Sequence, residues 1–434
     1  MRWFCSLMIY RLVLPLLFVA AFPGWIMKML RRGGFGTRMG ERAAIYTTPL
    51  DFEPYGAIHV HAISVGESLL ALKLIREWRI LQPEQRFVLA TGTATGHAVA
   101  TAAGIPELRV CYAPLDLPSM IQRYFKRFSP AKIILIESEV WPHLLIACQK
   151  KNIPIALVNA RVSPRSMRRY QRFAAWLRPL FSMLDLVAIQ KTEDAALWKS
   201  LGVDARKIHH TGSLKFDPTG GTLPQTRPDF QNLLDTFGKG KSVILAASTH
   251  AGEDAWIATA VRDAMPEALL LIVPRHAERR WEVKQQLERA GFTVVLRSQL
   301  DPSAPPKIER GPILFLIDST GELRDWTAHA DAVIIGKSFL ATGGQNPTEA
   351  IQAHRPVIFG PHMENFEPLA SRLVANGGCI RAINQSELAN AITTVFDPSR
   401  MNEMTQNAST ILRDHEGATL RILDLLRAPA LFTK

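Results

Sequence analysis

Short apolar runs alternate with stretches of helical periodicity in two consecutive series, and that alternation constrains the fold of this chain more than any other feature. The first series is Ala57–Ala62, Phe87–Thr91, Val110–Tyr112, Lys132–Ile136, Ile155–Val158 and Leu186–Ile189. The second is Ser242–Ala247, Ala268–Val273, Phe292–Leu296, Ile313–Ile317, Ala332–Ile335 and Val357–Phe359. Runs this short and this apolar suit strands of a parallel sheet covered by helices on both faces, where neither side of the strand meets water. Between the series, Lys215 to Lys241 carries Pro218, Gly220, Gly221, Pro224, Pro228 and Gly240, the composition of a domain boundary. At 434 residues the chain is also too long for one ordinary core. The expectation is an α/β protein of two Rossmann-like, doubly wound domains, 33–214 and 242–434, joined by a linker at 215–241. The helical tail from Ser386 is assigned to the second domain.

Residues 1–32 stand apart. Leu12 to Met27 (LVLPLLFVAAFPGWIM) is uncharged, as is Trp3 to Tyr10, with Arg11 between them. Sixteen residues fall short of the ~20 that cross a hydrocarbon core, and the earlier segment makes up the length. Lys28, Arg31, Arg32, Arg38 and Arg42 follow, so the positive-inside rule places the body of the protein in the cytoplasm. No small-x-small cleavage site marks a signal peptide, and an uncleaved N-terminal anchor, spanning or half-buried, is expected. Across the whole chain, 51 Lys and Arg against 39 Asp and Glu leave a charge of +12, which favours anionic partners. Nucleic acid fits the charge, but no nucleic-acid module or interleaved aromatic pattern accompanies it, and it is not expected as a partner. The four cysteines are scattered, with no metal-ligand spacing, which suits a reducing compartment.

Motifs sit where strands end. In the second series these are Ser248-Thr-His-Ala-Gly-Glu253, Pro274-Arg-His-Ala-Glu-Arg279, Asp318-Ser-Thr-Gly-Glu-Leu323 and Gly336 to Glu349 (GKSFLATGGQNPTE). Each puts hydroxyls, glycines or a cation where a helix begins and free N–H groups can hold phosphate. Any one is an ordinary cap or loop; four at the same end of one sheet favour a nucleotide-phosphate site. Glu349 has two readings that spacing does not separate, a ribose-hydroxyl acceptor or a helix N-terminal charge. No D-x-D occurs in the sequence. A metal-bridged diphosphate mechanism therefore lacks its usual ligands, and cations such as Arg275, His276 and Lys215 would have to stabilise a leaving phosphate.

In the first series, Glu67 follows the first strand (HAISVGE) and Glu137 the fourth (ESEVWP). Taken singly, an acid before a helix is most often a cap. Thr91-Gly-Thr-Ala-Thr-Gly96 is a third, hydroxyl-rich turn. After the fifth strand, Ser163 and Pro164 start a helix on which Arg165, Arg168, Arg169 and Arg172 share one face and Met167, Tyr170, Ala174 and Leu177 another. With an anchor on the same chain, the basic face suits an anionic lipid head group or phosphorylated acceptor at a membrane surface rather than solvent alone.

Taken together and in this order, HAISVGE, ESEVWP, NARVSPRS, GSLKFD, STHAGE, PRHAER, GGQNPTEA and FGPHMENF resemble the 3-deoxy-D-manno-octulosonic acid (Kdo) transferase family. The resemblance implies a GT-B fold, with the acceptor on the N-terminal domain and CMP-Kdo on the C-terminal one. It implies inverting, metal-independent transfer of Kdo, without a cofactor, from CMP-Kdo to an anionic glycolipid, the lipid A precursor lipid IVA, at the bacterial inner membrane. Glu67 would be the proton acceptor, and Glu137 and Lys215 transition-state stabilisers. Donor contacts would fall on Ser248, Arg275, His276, Thr320, Gly321, Glu322, Asn346, Pro347, Thr348 and Glu349, and acceptor contacts on Arg165, Arg168, Arg169 and Arg172. Gln345 and Thr348 depart from the residues most frequent in the family at those positions. A soluble GT-B UDP-sugar epimerase and a membrane-tethered nucleotide-binding protein without catalysis are the competing readings; the anchor and basic helix argue against the first.

Overall fold

The computed structural model describes residues 10, 24, 27, 38–46, 56–162, 164–218, 224–300 and 312–428. The anchor expected at 1–32 lies, apart from residues 10, 24 and 27, outside the described residues. Among those described, no helix is long and apolar enough to cross a membrane.

The chain forms two compact units, residues 1–220 with 415–434, and residues 221–414. The first contains β1 (Ile58–Ala62), β2 (Phe87–Thr91), β3 (Leu108–Tyr112), β4 (Lys132–Ile136), β5 (Ile155–Ala160), β6 (Leu186–Ile189) and β7 (Ile208–His210). The second contains β8 (Val243–Thr249), β9 (Leu269–Pro274), β10 (Thr293–Leu296), β11 (Ile313–Leu316), β12 (Ala332–Ile335), β13 (Val357–Phe359) and β14 (Ile380–Arg381). Both sheets are parallel, in the orders β3-β2-β1-β4-β5-β6-β7 and β10-β11-β9-β8-β12-β13-β14. All twelve expected strands are present. The two not foreseen, β7 (IHH) and β14 (IR), are short, polar edge strands with no apolar run to betray them.

Alternate residues of each strand feed opposite layers, which is why the runs are apolar throughout. Ile133 and Leu135 of β4 lie in one core cluster of the first unit, while Ile134 and Ile136 lie in the other. β1 obeys the same rule with a polar twist. Ile58, Val60 and Ala62 face the second cluster. His59 and His61 point the other way, toward Tyr124, whose hydroxyl is 2.5 Å from His59 Nδ1 and 3.5 Å from His61 Nε2. Burial keeps both imidazoles neutral, pushing His61 down to about 4. Cys111, Cys148 and Cys379 are buried thiols.

Two assignments along the chain differ from the sequence expectation. Residues 215–241 are mostly built into the units rather than forming a linker. Phe216 and Asp217 are buried in the first, and the helix Pro228–Thr236 packs in the second, with Phe230 stacked 3.9 Å from Trp326. The last helix, Ala418–Arg427, belongs to the first unit, not the second. Ile422, Leu423 and Leu426 are buried in that unit's core, and polar contacts hold the helix ends. Asp217 accepts from Gly417 N (2.9 Å) and Thr419 N (2.6 Å) at the helix start. Arg421 donates to Thr211 O at 2.8 Å, and Lys132 reaches Leu426 O at the helix end. Apolar periodicity says that a helix is half-buried but not which sheet it covers. Arg42, counted in the basic flank of the anchor, is also used inside the first unit. Its guanidinium lies 4.0 Å over the Tyr112 ring and donates to Gly92 O.

Candidate active site

In a doubly wound sheet, ligands bind beyond the carboxyl ends of the strands where the strand order reverses. In the first unit that point lies between β1 and β4, and Glu67 and Glu137 follow those two strands. Ser64 caps the helix Val65–Leu81, placing Glu67 at its third position. The Ser64 hydroxyl donates to Glu67 Oε1 (2.8 Å) and accepts from Glu67 N (3.2 Å), and Ile63 N donates to Oε2 (2.8 Å). This is a capping box extended by one residue, a local stabilisation of about 1 kcal/mol. The capping reading of Glu67 is therefore right as far as it goes. A carboxylate offers about four lone-pair sites, so two hydrogen bonds fix its orientation and leave room for a proton.

Glu137 takes a left-handed backbone, φ 62°, unusual for a non-glycine residue. Burial raises its pKa, with Arg161 and Lys215 opposing and Glu67 adding to the rise. Glu139, which the sequence reading passed over, is pushed up to about 7 by burial and then by the Glu67 charge, although Trp141 Nε1 donates to it at 3.0 Å. Burial, then Arg161, lowers Lys215, with Glu137 opposing. Three carboxylates and two cations thus share one electrostatic neighbourhood.

Asn159, at φ 54° and fully buried, ties this group together. Its Nδ2 donates to Glu137 Oε1 (3.4 Å), and its Oδ1 accepts from Leu214 N (3.0 Å) and Ser213 Oγ (3.3 Å). The turn bearing Lys215 is held further by His415 Nδ1, which accepts from Ser213 N, and by Lys73, which donates to Leu214 O and Asp217 O. Lys215 is accordingly a half-buried, tightly framed cation rather than a solvated charge. Asn159 opens the NARVSPRS motif, but the sequence pattern gave it no role of its own. The Thr91–Gly96 turn proves to be a cap, with Gly96 N donating to Thr93 Oγ1 at 3.0 Å.

In the second unit the order reverses between β8 and β12. Both strands end in left-handed non-glycine residues, Ser248 (φ 58°) and Lys337 (φ 56°). Gly336 must be glycine, because a Cβ there would lie 2.5 Å from Ser248 O. Glu253, buried at the start of its helix, accepts from four backbone N–H groups: His250 (3.0 Å), Lys337 (2.6 Å), Phe339 (3.0 Å) and Leu340 (3.3 Å). One carboxylate therefore sets the loop after β8 against the loop after β12. Its neighbour Asp254 accepts from Thr249 Oγ1 (2.5 Å) and from Arg279 (2.8 Å). Arg275 and His276 are exposed beyond β9, with the His276 ring 5.9 Å from that of His250.

The remaining expected donor residues are less uniform. Thr320 and Gly321 are exposed, whereas Glu322 is engaged by Arg297 (3.3 Å), Ser319 and Trp326. Asn346 turns inward on its own loop, accepting from Thr348 N and Oγ1. Pro347 caps the short helix Thr348–Gln352, and burial raises the pKa of Glu349 against the opposing charge of Arg324. Among the described residues, no group of three or more His, Cys, Asp or Glu is arranged to hold a metal ion.

The arginine-bearing segment is two helices, Pro164–Arg172 and Ala174–Phe181, broken at Phe173. Met167, Tyr170, Ala174 and Leu177 pack on the core as expected. Arg168, Arg169 and Arg172 are exposed, and the side chain of Arg165 lies outside the described residues. Phe173 and Trp176, 50% and 40% exposed, sit within the same surface and were not foreseen.

The sequence profile of the 3-deoxy-D-manno-octulosonic-acid transferase (kdotransferase) family matches residues 37–218. A 3-deoxy-D-manno-octulosonic acid transferase of Bordetella pertussis is 34% identical over 93% of this chain and 94% of its own length. That of Haemophilus influenzae is 32% identical over 90% and 91%. The chain belongs to the Kdo transferase family. It is therefore an enzyme, a glycosyltransferase. Its pair of parallel-sheet units also resembles a solved structure of Anabaena HepE in complex with UDP, at 16% identity and a TM-score of 0.54, covering 85% of this chain and 99% of that one, a likeness of GT-B-like fold alone.

Proposed function

We propose that this enzyme transfers Kdo from CMP-Kdo to the lipid A precursor, lipid IVA, in lipopolysaccharide core biosynthesis, with inversion and without a metal ion. The observation that carries the reading is the pairing of family membership with an oriented carboxylate, Glu67, at the strand-order reversal of the first unit. Glu67 accepts the proton of an acceptor hydroxyl as its oxygen bonds to the anomeric carbon of Kdo. The bond from that carbon to the phosphate oxygen breaks, and CMP departs with the electron pair. A hydroxyl is a poor nucleophile until a positioned base takes its proton, a contribution of roughly 10²–10⁴-fold. Lys215 and Glu137 stabilise the transition state, the cation offsetting charge on the departing phosphate. CMP leaves with less charge than a nucleoside diphosphate, and side-chain cations suffice for it.

In this reading the second unit binds the donor through Ser248, Arg275, His276, Thr320, Gly321, Glu322 and the turn Asn346–Glu349. The acceptor meets Arg165, Arg168, Arg169 and Arg172, with Phe173 and Trp176 supplying apolar contact at an anionic membrane surface. The enzyme works at the cytoplasmic face of the inner membrane, with residues 1–32 as its anchor. The test is mass spectrometry of the product from CMP-Kdo and lipid IVA, with and without a chelator. Addition of one or more Kdo units, undiminished by the chelator, is expected. Turnover of a UDP-sugar in place of CMP-Kdo would replace this reading with that of an epimerase.

A further inference from the structure

Lys337 lies within the Gly336–Glu349 motif but was given no role of its own. It stands two residues beyond β12, beside the end of β8, where the strand order reverses. Its backbone lies in the left-handed region, φ 56°, a conformation that an L side chain adopts only at a cost. That conformation is held from both sides. Lys337 N donates to Glu253 Oε2 at 2.6 Å, and Lys337 O accepts from Gly344 N at 3.0 Å. The side chain passes Gly343, with Cε 3.8 Å from the point where a Cβ on that glycine would stand.

The ammonium has no carboxylate partner among the described residues. Glu253 spends its oxygens on four backbone N–H groups, and Glu364 is engaged by Gly343 N (2.6 Å) and His362 (3.2 Å). Lys337 also acts on His250, whose imidazole is pushed down by burial and then by the Lys337 charge. A cation and an imidazole whose protonation it opposes thus meet beside the Gly343-Gly344 turn, at the place where this fold class takes its ligand.

We propose that Lys337 is a phosphate ligand of the donor nucleotide, its ammonium contacting the phosphoryl group beyond the strand ends at the reversal. The proposal rests on the CMP-Kdo reading above and adds to it a residue and the group it recognises. The strain and the charge have one explanation together: a glycine would suit the backbone better, and lysine supplies what glycine lacks. Charge-assisted contacts of this kind are lost when the cation is removed.

The test compares the full chain with Lys337→Gly, a variant that suits the left-handed backbone and keeps the fold. Binding of CMP and of cytidine, which lacks the phosphate, is measured by calorimetry, with thermal unfolding as the control. The expected result is a CMP affinity lowered roughly ten- to hundredfold, cytidine affinity unchanged and a melting temperature equal or higher. An unchanged CMP affinity in a folded Lys337→Gly protein overturns the proposal alone. Failure of the unaltered chain to prefer CMP over UMP overturns the donor reading and the proposal with it. Equal losses for CMP and cytidine would show a structural role and also overturn it.

Discussion

The two units share a doubly wound design and a local device but differ in the chemistry they place on it. Each is a parallel seven-stranded sheet with a central reversal, between β1 and β4 in the first and β8 and β12 in the second, and the second alone inserts a strand, β11, between β9 and the edge strand β10. Each ends neighbouring strands beside that reversal in left-handed non-glycine residues, Glu137 and Asn159 in the first, Ser248 and Lys337 in the second. A left-handed residue turns the chain sharply as it leaves the sheet and sets the side chain or peptide beyond the strand end. In the first unit the groups so placed are acidic: Glu67, Glu137 and Glu139, moderated by Arg161 and Lys215. In the second they are basic or neutral donors, with the local acids Glu253 and Asp254 consumed internally. In the proposed function one scaffold serves two purposes. An acidic reversal suits proton abstraction from an alcohol, and a basic one suits a nucleotide phosphate.

That contrast can be broken at specific residues. The largest effect is expected at Asn159, which joins Glu137 to the Lys215 turn. Asn159→Ala leaves Leu214 N without its buried acceptor, a loss of about 2 kcal/mol in stability. It should also lower kcat at least tenfold while leaving CMP affinity alone, as read by steady-state kinetics and calorimetry. A matching loss of CMP affinity would show that the division between the units is not real.

Next in size is the exposed basic surface. Replacing Arg168, Arg169 and Arg172 with Gln should raise the KM for the lipid acceptor roughly tenfold, and that for CMP-Kdo little. Equal effects on both substrates would remove the head-group role. The smallest effect concerns Glu139. Its folded-state pKa is raised from 4.5 to about 7, so its contribution to stability is complete below 4.5 and is lost as pH rises through about 7. Glu139→Gln should therefore flatten the decline in stability across that window, measured by urea unfolding at a series of pH values. An unchanged profile would place Glu139 outside the acidic group.

Much of this molecule is legible in its sequence because burial on both faces of a strand leaves an apolar run. β4 and β12 are examples, each uniformly buried but for Lys132 at the edge. The edge strands β7 and β14 were not legible because they are short and carry no apolar run. The destination of the helix Ala418–Arg427 was not legible because it depends on contacts such as that between Asp217 and Thr419, about two hundred positions apart. The motifs pointed to Glu67, Glu137 and Lys215, and the position of Glu67 before a helix pointed to a cap. Spacing cannot show that Asn159 binds Glu137 and Leu214 at once, that Glu253 gathers two loops, or that Lys337 is left without a counter-ion. Those properties arise only when strand ends distant in sequence become neighbours.

The central claim is that chemistry belongs to the acidic reversal and nucleotide binding to the basic one. Glu67→Ala, assayed for Kdo transfer to lipid IVA and, in parallel, for CMP binding by calorimetry, tests it most directly. The account predicts a loss of turnover of about 10²–10⁴-fold with CMP affinity unchanged. Near-normal turnover, or a fall in CMP affinity equal to the fall in turnover, would contradict it.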